Sequence, residues 1–101
     1  MNRKKYINNI LKTHQQELLD IGVKMIGVFG SVVRGEETSS SDYDILVEFD
    51  KNHHNYKSFN QLCDFFDKYV GSNYDLVTKQ GLSPYIGTKI LEEVEYVEIA
   101  S

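Results

Sequence analysis

The run Asp42-Tyr43-Asp44-Ile45-Leu46-Val47-Glu48-Phe49 constrains this chain more than any other stretch. Tyr43, Ile45, Val47 and Phe49 fall on one face of an extended chain, and Asp42, Asp44 and Glu48 fall on the other. That alternation predicts a half-covered β-strand, which needs neighbouring strands and an apolar cover. Both are written nearby. Val23 to Phe29 and Tyr74 to Thr78 read as two further short strands.

Helices are signalled between them. Ile7, Ile10, Leu11, His14, Leu18 and Ile21 recur at helical spacing and predict one amphipathic helix over roughly 6–20, stopped by Gly22. A short helix starts at Ser31 and ends near Gly35. Tyr56, Phe59, Leu62, Cys63, Phe66 and Tyr69 form a second helical stripe. Ser83-Pro84 reads as the N-cap and first residue of a last helix, with Ile86, Ile90, Val94 and Val97 as its stripe and Glu92, Glu93 and Glu95 mostly solvated. Glu36 to Ser41 reads as a polar loop. The order predicts an α/β (α+β) fold with helices packed on one face of a short sheet.

A length of 101 residues fits a single domain over 1–101, with room for one core and one site. The count of 11 Lys and Arg against 15 Asp and Glu gives a net charge of -4. Nucleic-acid binding draws on phosphate neutralisation, so no direct nucleic-acid binding is expected. No apolar run is long enough to span a membrane, and none of signal-peptide length follows the basic first residues. Cys63 is the only cysteine, which excludes an internal disulfide and a cysteine-built zinc site. A cytoplasmic location is the expectation.

Asp42 and Asp44 are two apart on a strand, so their carboxylates point the same way, about 7 Å from each other. Such a pair repels itself in water and suits Mg²⁺, which reaches proteins through one or two carboxylates plus substrate phosphates. It also suits a solvated strand entrance. Asp75 places a third carboxylate in an apolar strand, where a charge needs a reason; it converges on the pair if the strands are neighbours, and otherwise marks an exposed edge. Gly30-Ser31 sits where a strand yields to a helix, a place where backbone N–H groups and a hydroxyl can hold phosphate. A plain glycine turn capped by Ser31 reads equally well, and no Walker A loop is present. Arg34 follows within a turn, able to hold phosphate or to pair with Glu36 or Glu37.

Together, Gly30-Ser31, ten residues and then Asp42-x-Asp44 resemble the signature of the nucleotidyltransferase superfamily typified by DNA polymerase beta. Val28-Phe29-Gly30-Ser31-Val32-Val33-Arg34-Gly35-Glu36 with Ser41-Asp42-Tyr43-Asp44-Ile45-Leu46-Val47 is similar to its minimal nucleotidyltransferase branch, small proteins often encoded beside a HEPN-domain protein. Tyr74-Asp75-Leu76-Val77 matches the third-carboxylate strand, and Ile90-Leu91-Glu92-Glu93-Val94 the helix near the end. The resemblance implies a small nucleotidyltransferase fold with a mixed sheet. It implies two Mg²⁺ ions on Asp42, Asp44 and Asp75, with Asp75 also helping to activate the attacking hydroxyl. It gives Gly30 and Ser31 to the β,γ-phosphates of ATP, and Arg34 to the nucleotide. The implied reaction moves AMP from ATP to a tyrosine of a HEPN ribonuclease toxin, with this chain as antitoxin in a hetero-oligomer. Two other functions fit the same residues: an antitoxin that neutralises by binding alone, and nucleotidyl transfer to a small molecule or an RNA 3′ end.

Other residues read as structural. His14 lies on an apolar stripe, as a seam histidine would. His53-His54 falls in a polar connection. Cys63 shares the stripe of its helix as a buried, inert thiol. Tyr96 reads equally as packing on the sheet or on a partner.

Overall fold

The structure, a computed structural model, describes residues 3–35, 42–53, 55–71, 73–97 and 99. The loop read over Glu36 to Ser41, His54 and the side chain of Ile86 lie outside the described residues. The elements are α1 (Arg3–Thr13), α2 (Gln15–Ile21), β1 (Val23–Phe29), α3 (Ser31–Arg34), β2 (Tyr43–Phe49), α4 (Tyr56–Tyr69), β3 (Tyr74–Thr78), a 3-10 turn at Lys79–Gly81, α5 (Pro84–Glu93) and β4 (Glu95–Val97). The strands form one sheet in the order β3-β2-β1-β4. β1 runs antiparallel to β2 and to β4, while β2 and β3 are parallel. Parallel neighbours need a crossover, and α4 supplies it. No described helix is long and apolar enough to cross a membrane.

Alternation along the strands decides the packing. Ile45 and Val47 on β2 join Ile26 and Val28 on β1 in a large cluster with Ile7, Leu11, Leu18, Leu62, Phe65 and Phe66 from α1, α2 and α4. The mixed sheet and α/β class are as the sequence implies, but cover on one face alone is not. Leu46 and Phe29 point away from that cluster and are 1% and 8% exposed, because Ile90 of α5 closes over them. Two apolar residues on the reverse face need a lid of their own, and α5 provides it.

The first helix also departs from expectation. It breaks at His14 into α1 and α2, while the buried stripe continues on both sides through Ile7, Ile10, Leu11, Leu18 and Ile21. The break coincides with a tertiary contact: the His14 ring stacks on Tyr69 at 3.9 Å and meets Phe65 edge-on at 6.0 Å. His14 is a seam residue, as its stripe position predicts.

Val97 proves to be strand rather than helix. It sits opposite Ile26 on β4 and is buried, while Tyr96 lies opposite Gly27 and stays 43% exposed. A Cβ at Gly27 would come within 2.6 Å of Val94 Cγ2 and 3.1 Å of the Tyr96 ring, so a residue without a side chain lets the end of α5 cross close to β1.

α4 is well founded locally. Asn55 caps it by accepting the Ser58 N–H at 2.9 Å. Phe65 and Phe66 meet edge-on at 5.2 Å, and Phe66 packs against Tyr74 at 5.3 Å. The Phe66 side chain is fully buried in the main core. Phe66→Ala is therefore expected to cost about 3–5 kcal/mol, read as a lowered midpoint in urea denaturation with an unchanged slope. A loss below about 1 kcal/mol would mean that the cluster can close the space.

Candidate active site

The carboxylates are brought together by strand register. Asp42 lies one residue before β2, and Asp44 is the second residue of that strand. β3 places Asp75 directly beside Asp44 in the parallel ladder, with neighbouring strands about 4.8 Å apart. Both side chains stand on the face of Leu46, at the end of the sheet where β1 also finishes. The start of β3 is pinned from the other side: the Tyr74 hydroxyl lies 3.1 Å from the Cys63 carbonyl oxygen and 2.9 Å from Asp67 Oδ1. Burial and the Asp67 contact push that hydroxyl well above the usual tyrosine range, so it stays protonated. Half-buried Cys63 is likewise pushed up, chiefly by burial, which keeps it an inert thiol.

Gly30 ends β1 beside these carboxylates. Phe29, the residue before it, pairs with Asp44 across β1 and β2. The Gly30 backbone sits at φ 82° and ψ −157°, and its carbonyl accepts the N–H groups of Val33 and Arg34, each at 3.1 Å. A Cβ on Gly30 would fall 2.0 Å from Asp44 Oδ2. The bare glycine backbone thus lies against the Asp44 carboxylate. Ser31 follows as the first residue of α3, half-buried, and Arg34 closes that turn, exposed.

The electrostatics follow from this convergence. Asp44 is raised from the ordinary carboxylate value, first by burial and then by the Asp75 and Asp42 carboxylates; Arg34 opposes the shift and Glu93 adds to it. Asp44 is half-buried, while Asp42 and Asp75 are exposed. Negative charge is gathered at an open edge with Arg34 as the balancing cation. Among the described residues no three ligand-type side chains close into a ready metal cage. The open arrangement instead fits a hard cation that keeps waters and takes the rest of its ligands from a phosphate.

All six residues singled out in the sequence, Gly30, Ser31, Arg34, Asp42, Asp44 and Asp75, come to this one edge. A seventh was missed. Glu93, read as mostly solvated, accepts the Gly30 N–H on Oε2 at 3.0 Å and pairs through Oε1 with Arg34 Nη1 at 2.5 Å. Its carboxyl is held below the usual range by the Arg34 bond first, against burial and with help from the Gly30 N–H. Nothing in the spacing of residues 30 and 93 signals this contact, since it depends on α5 crossing the reverse face. The other loop candidate is local: His53 Nδ1 lies 2.7 Å from Asp50 Oδ1, away from the carboxylate edge.

Cavities lined by described residues lie elsewhere. One of about 320 Å³ is lined by α2 and α4, including Glu17, Asp20 and Phe65. One of about 290 Å³ is lined by Phe49, Tyr56 and Phe59. Neither is lined by any of the seven residues above.

A family model described as a nucleotidyltransferase domain matches residues 5–97. The protein adenylyltransferase MntA of Thermococcus cleftensis is 44% identical over 92 residues, covering 90% of this chain and 92% of that protein. A solved toxin–antitoxin complex with AMP-PNP contains a chain of TM-score 0.63 and 17% identity, covering 86% of this chain and 74% of that one. A Shewanella oneidensis complex of a tri-AMPylated HEPN toxin with an MNT antitoxin gives a TM-score of 0.54 at 16% identity, covering 87% and 71%. At those identities the two structures share the fold.

Proposed function

This chain belongs to the nucleotidyltransferase domain family, and from that premise we propose that it is a Mg²⁺-dependent protein adenylyltransferase and antitoxin, which moves AMP from ATP to a tyrosine hydroxyl of a cognate HEPN ribonuclease toxin. The observation that carries the reading is the pairing of Asp44 with Asp75 in register, directly against the Gly30-Ser31 turn. Metal-ligating carboxylates and a phosphate turn are useful to each other only when they share one substrate.

Each residue has work to do at that edge. Asp42, Asp44 and Asp75 would hold two Mg²⁺ ions, which supply charge neutralisation at the triphosphate and a lowered acceptor pKa. The Ser31 hydroxyl and the backbone of the Gly30-Ser31 turn receive the β,γ-phosphates. Arg34 adds a planar cation beside them. The acceptor oxygen attacks the α-phosphorus, the bond from that phosphorus to the bridging oxygen breaks, and pyrophosphate leaves with the electron pair. Asp75, exposed at the edge, takes the acceptor's proton and passes it to water. A tyrosine hydroxyl starts several pH units more acidic than a sugar hydroxyl, which suits so open a site. The structural neighbours include a toxin–antitoxin complex with AMP-PNP and a complex of a tri-AMPylated HEPN toxin with an MNT antitoxin, and the exposed edge leaves room for a protein acceptor.

The test is co-expression with a candidate cognate HEPN protein, followed by intact-mass spectrometry. Wild-type protein should add whole adenylyl units to the partner, located on tyrosine by fragmentation. An unmodified partner alongside an antitoxin that still protects cells as Asp42→Asn would replace this reading with neutralisation by binding.

A further inference from the structure

One carboxylate ties together both parts of the nucleotide seat. Glu93 is the last residue of α5, yet it bonds the Gly30 N–H and the Arg34 guanidinium, 63 and 59 residues away in sequence. We infer that Glu93 is a positioning residue for nucleotide binding: it fixes the Gly30-Ser31 turn and the plane of Arg34 in the form that receives a triphosphate. The inference rests on the nucleotidyltransferase reading of this site.

The physical case begins with Gly30. Its backbone is buried and has no side chain to anchor it, so its peptide is held by hydrogen bonds alone. A buried N–H without an acceptor is costly, and Glu93 is the acceptor. α3 that follows has only four residues. So short a helix gains little from its own bonds and depends on what grips its ends. Glu93 grips both: Gly30 at the start and Arg34 at the finish. A guanidinium carries five donors in a rigid plane, so a bond to one edge sets the direction of the others. The Gly30 backbone in turn presses on Asp44. A shift of the turn would therefore be felt at a proposed metal ligand. An exposed ion pair seldom contributes much, but this one also takes a buried backbone donor, and the Glu93 side chain is only 25% exposed.

The opposite role has a definite signature. If Glu93 were an internal competitor that occupies the phosphate's place, removing its charge would tighten nucleotide binding. Glu93→Gln separates the two, because the amide oxygen still accepts the Gly30 N–H while the charge is gone. The experiment measures MgATP affinity by calorimetry, KM and kcat for transfer, and amide exchange, in wild type, Glu93→Gln and Glu93→Ala. Glu93→Ala should weaken MgATP about tenfold or more and raise KM far more than it lowers kcat. Glu93→Gln should recover part of that loss. Amides of Gly30, Val33 and Arg34 should exchange faster in Glu93→Ala, with β2 amides as protected as in wild type. Tighter binding by either variant, or unchanged binding in both, overturns the inference and leaves the enzyme reading intact. Faster exchange throughout β2 also overturns it, since Glu93 would then support the fold at large. A wild-type protein that binds no MgATP overturns the functional reading itself, and this inference with it.

Discussion

Asp44→Asn is expected to abolish adenylyl transfer, by roughly a thousandfold or more, while making the metal-free protein more stable. The two effects share a cause. Asp44 is half-buried beside Asp75 and Asp42, and its carboxyl is raised above its ordinary value of 3.8 by burial and by those neighbours. A raised folded-state value means that the native protein holds the proton more tightly than the unfolded chain does. Charged Asp44 therefore opposes folding at neutral pH. As pH falls through the raised value toward 3.8, the native state takes up its proton first and stability is regained; below 3.8 both states are protonated and this contribution is flat. Asparagine has no charge to repel, so its metal-free melting temperature should exceed wild type at neutral pH. The gap should close as pH falls through that window. Mg²⁺ with ATP should restore stability to wild type and much less to the variant. Thermal melts in chelator across pH, beside a transfer assay, check every part. A variant that melts lower than wild type at neutral pH, or that keeps its transfer rate, would refute the account.

How far the sequence carried this result depends on the distance over which each signal acts. β1, β2, β3 and α4 are written in local alternation and periodicity, and they appear at the residues where those patterns place them. Asp42, Asp44, Gly30, Ser31 and Arg34 are legible because they lie within one strand–turn–strand segment, so their spacing is itself structural information. Asp75 is legible as an anomaly, a charge in an apolar strand, although its alignment with Asp44 is set by tertiary register. Leu46, β4 and Glu93 were not legible, for one common reason. Each depends on α5 folding onto the reverse face of the sheet, which no local pattern specifies. Leu46 shares its face with Asp44 and Glu48 and gives no local sign of its cover, Val97 continued a helical stripe by coincidence of spacing, and Glu93 followed another glutamate on a helix end. The split at His14 has a similar origin: the stripe is continuous across it, and the stacked Tyr69 belongs to another helix.

Gly30→Ala should damage activity and stability together, reducing transfer by at least a hundredfold and costing about 1–3 kcal/mol of stability from backbone strain alone. Two independent penalties meet at this residue. Its φ of 82° with ψ of −157° lies in a region that side-chain-bearing residues avoid. The added methyl would also stand 2.0 Å from Asp44 Oδ2, where no pair of heavy atoms can remain. Relief requires moving either the turn or the Asp44 carboxylate, and both belong to the proposed chemistry. Gly35 provides the control. It too has positive φ, at 74°, but an added Cβ there meets nothing within 4 Å. Gly35→Ala should therefore show a strain cost of about 1–2 kcal/mol and keep most of its transfer activity. Urea denaturation of both variants, with MgATP binding and transfer measured on each, separates strain from collision. Combining Gly30→Ala with Asp44→Asn should cost less transfer than the product of the two single losses, because the two residues are in contact. If Gly30→Ala transferred AMP as well as Gly35→Ala, the contact between the turn and Asp44 would have no part in the reaction.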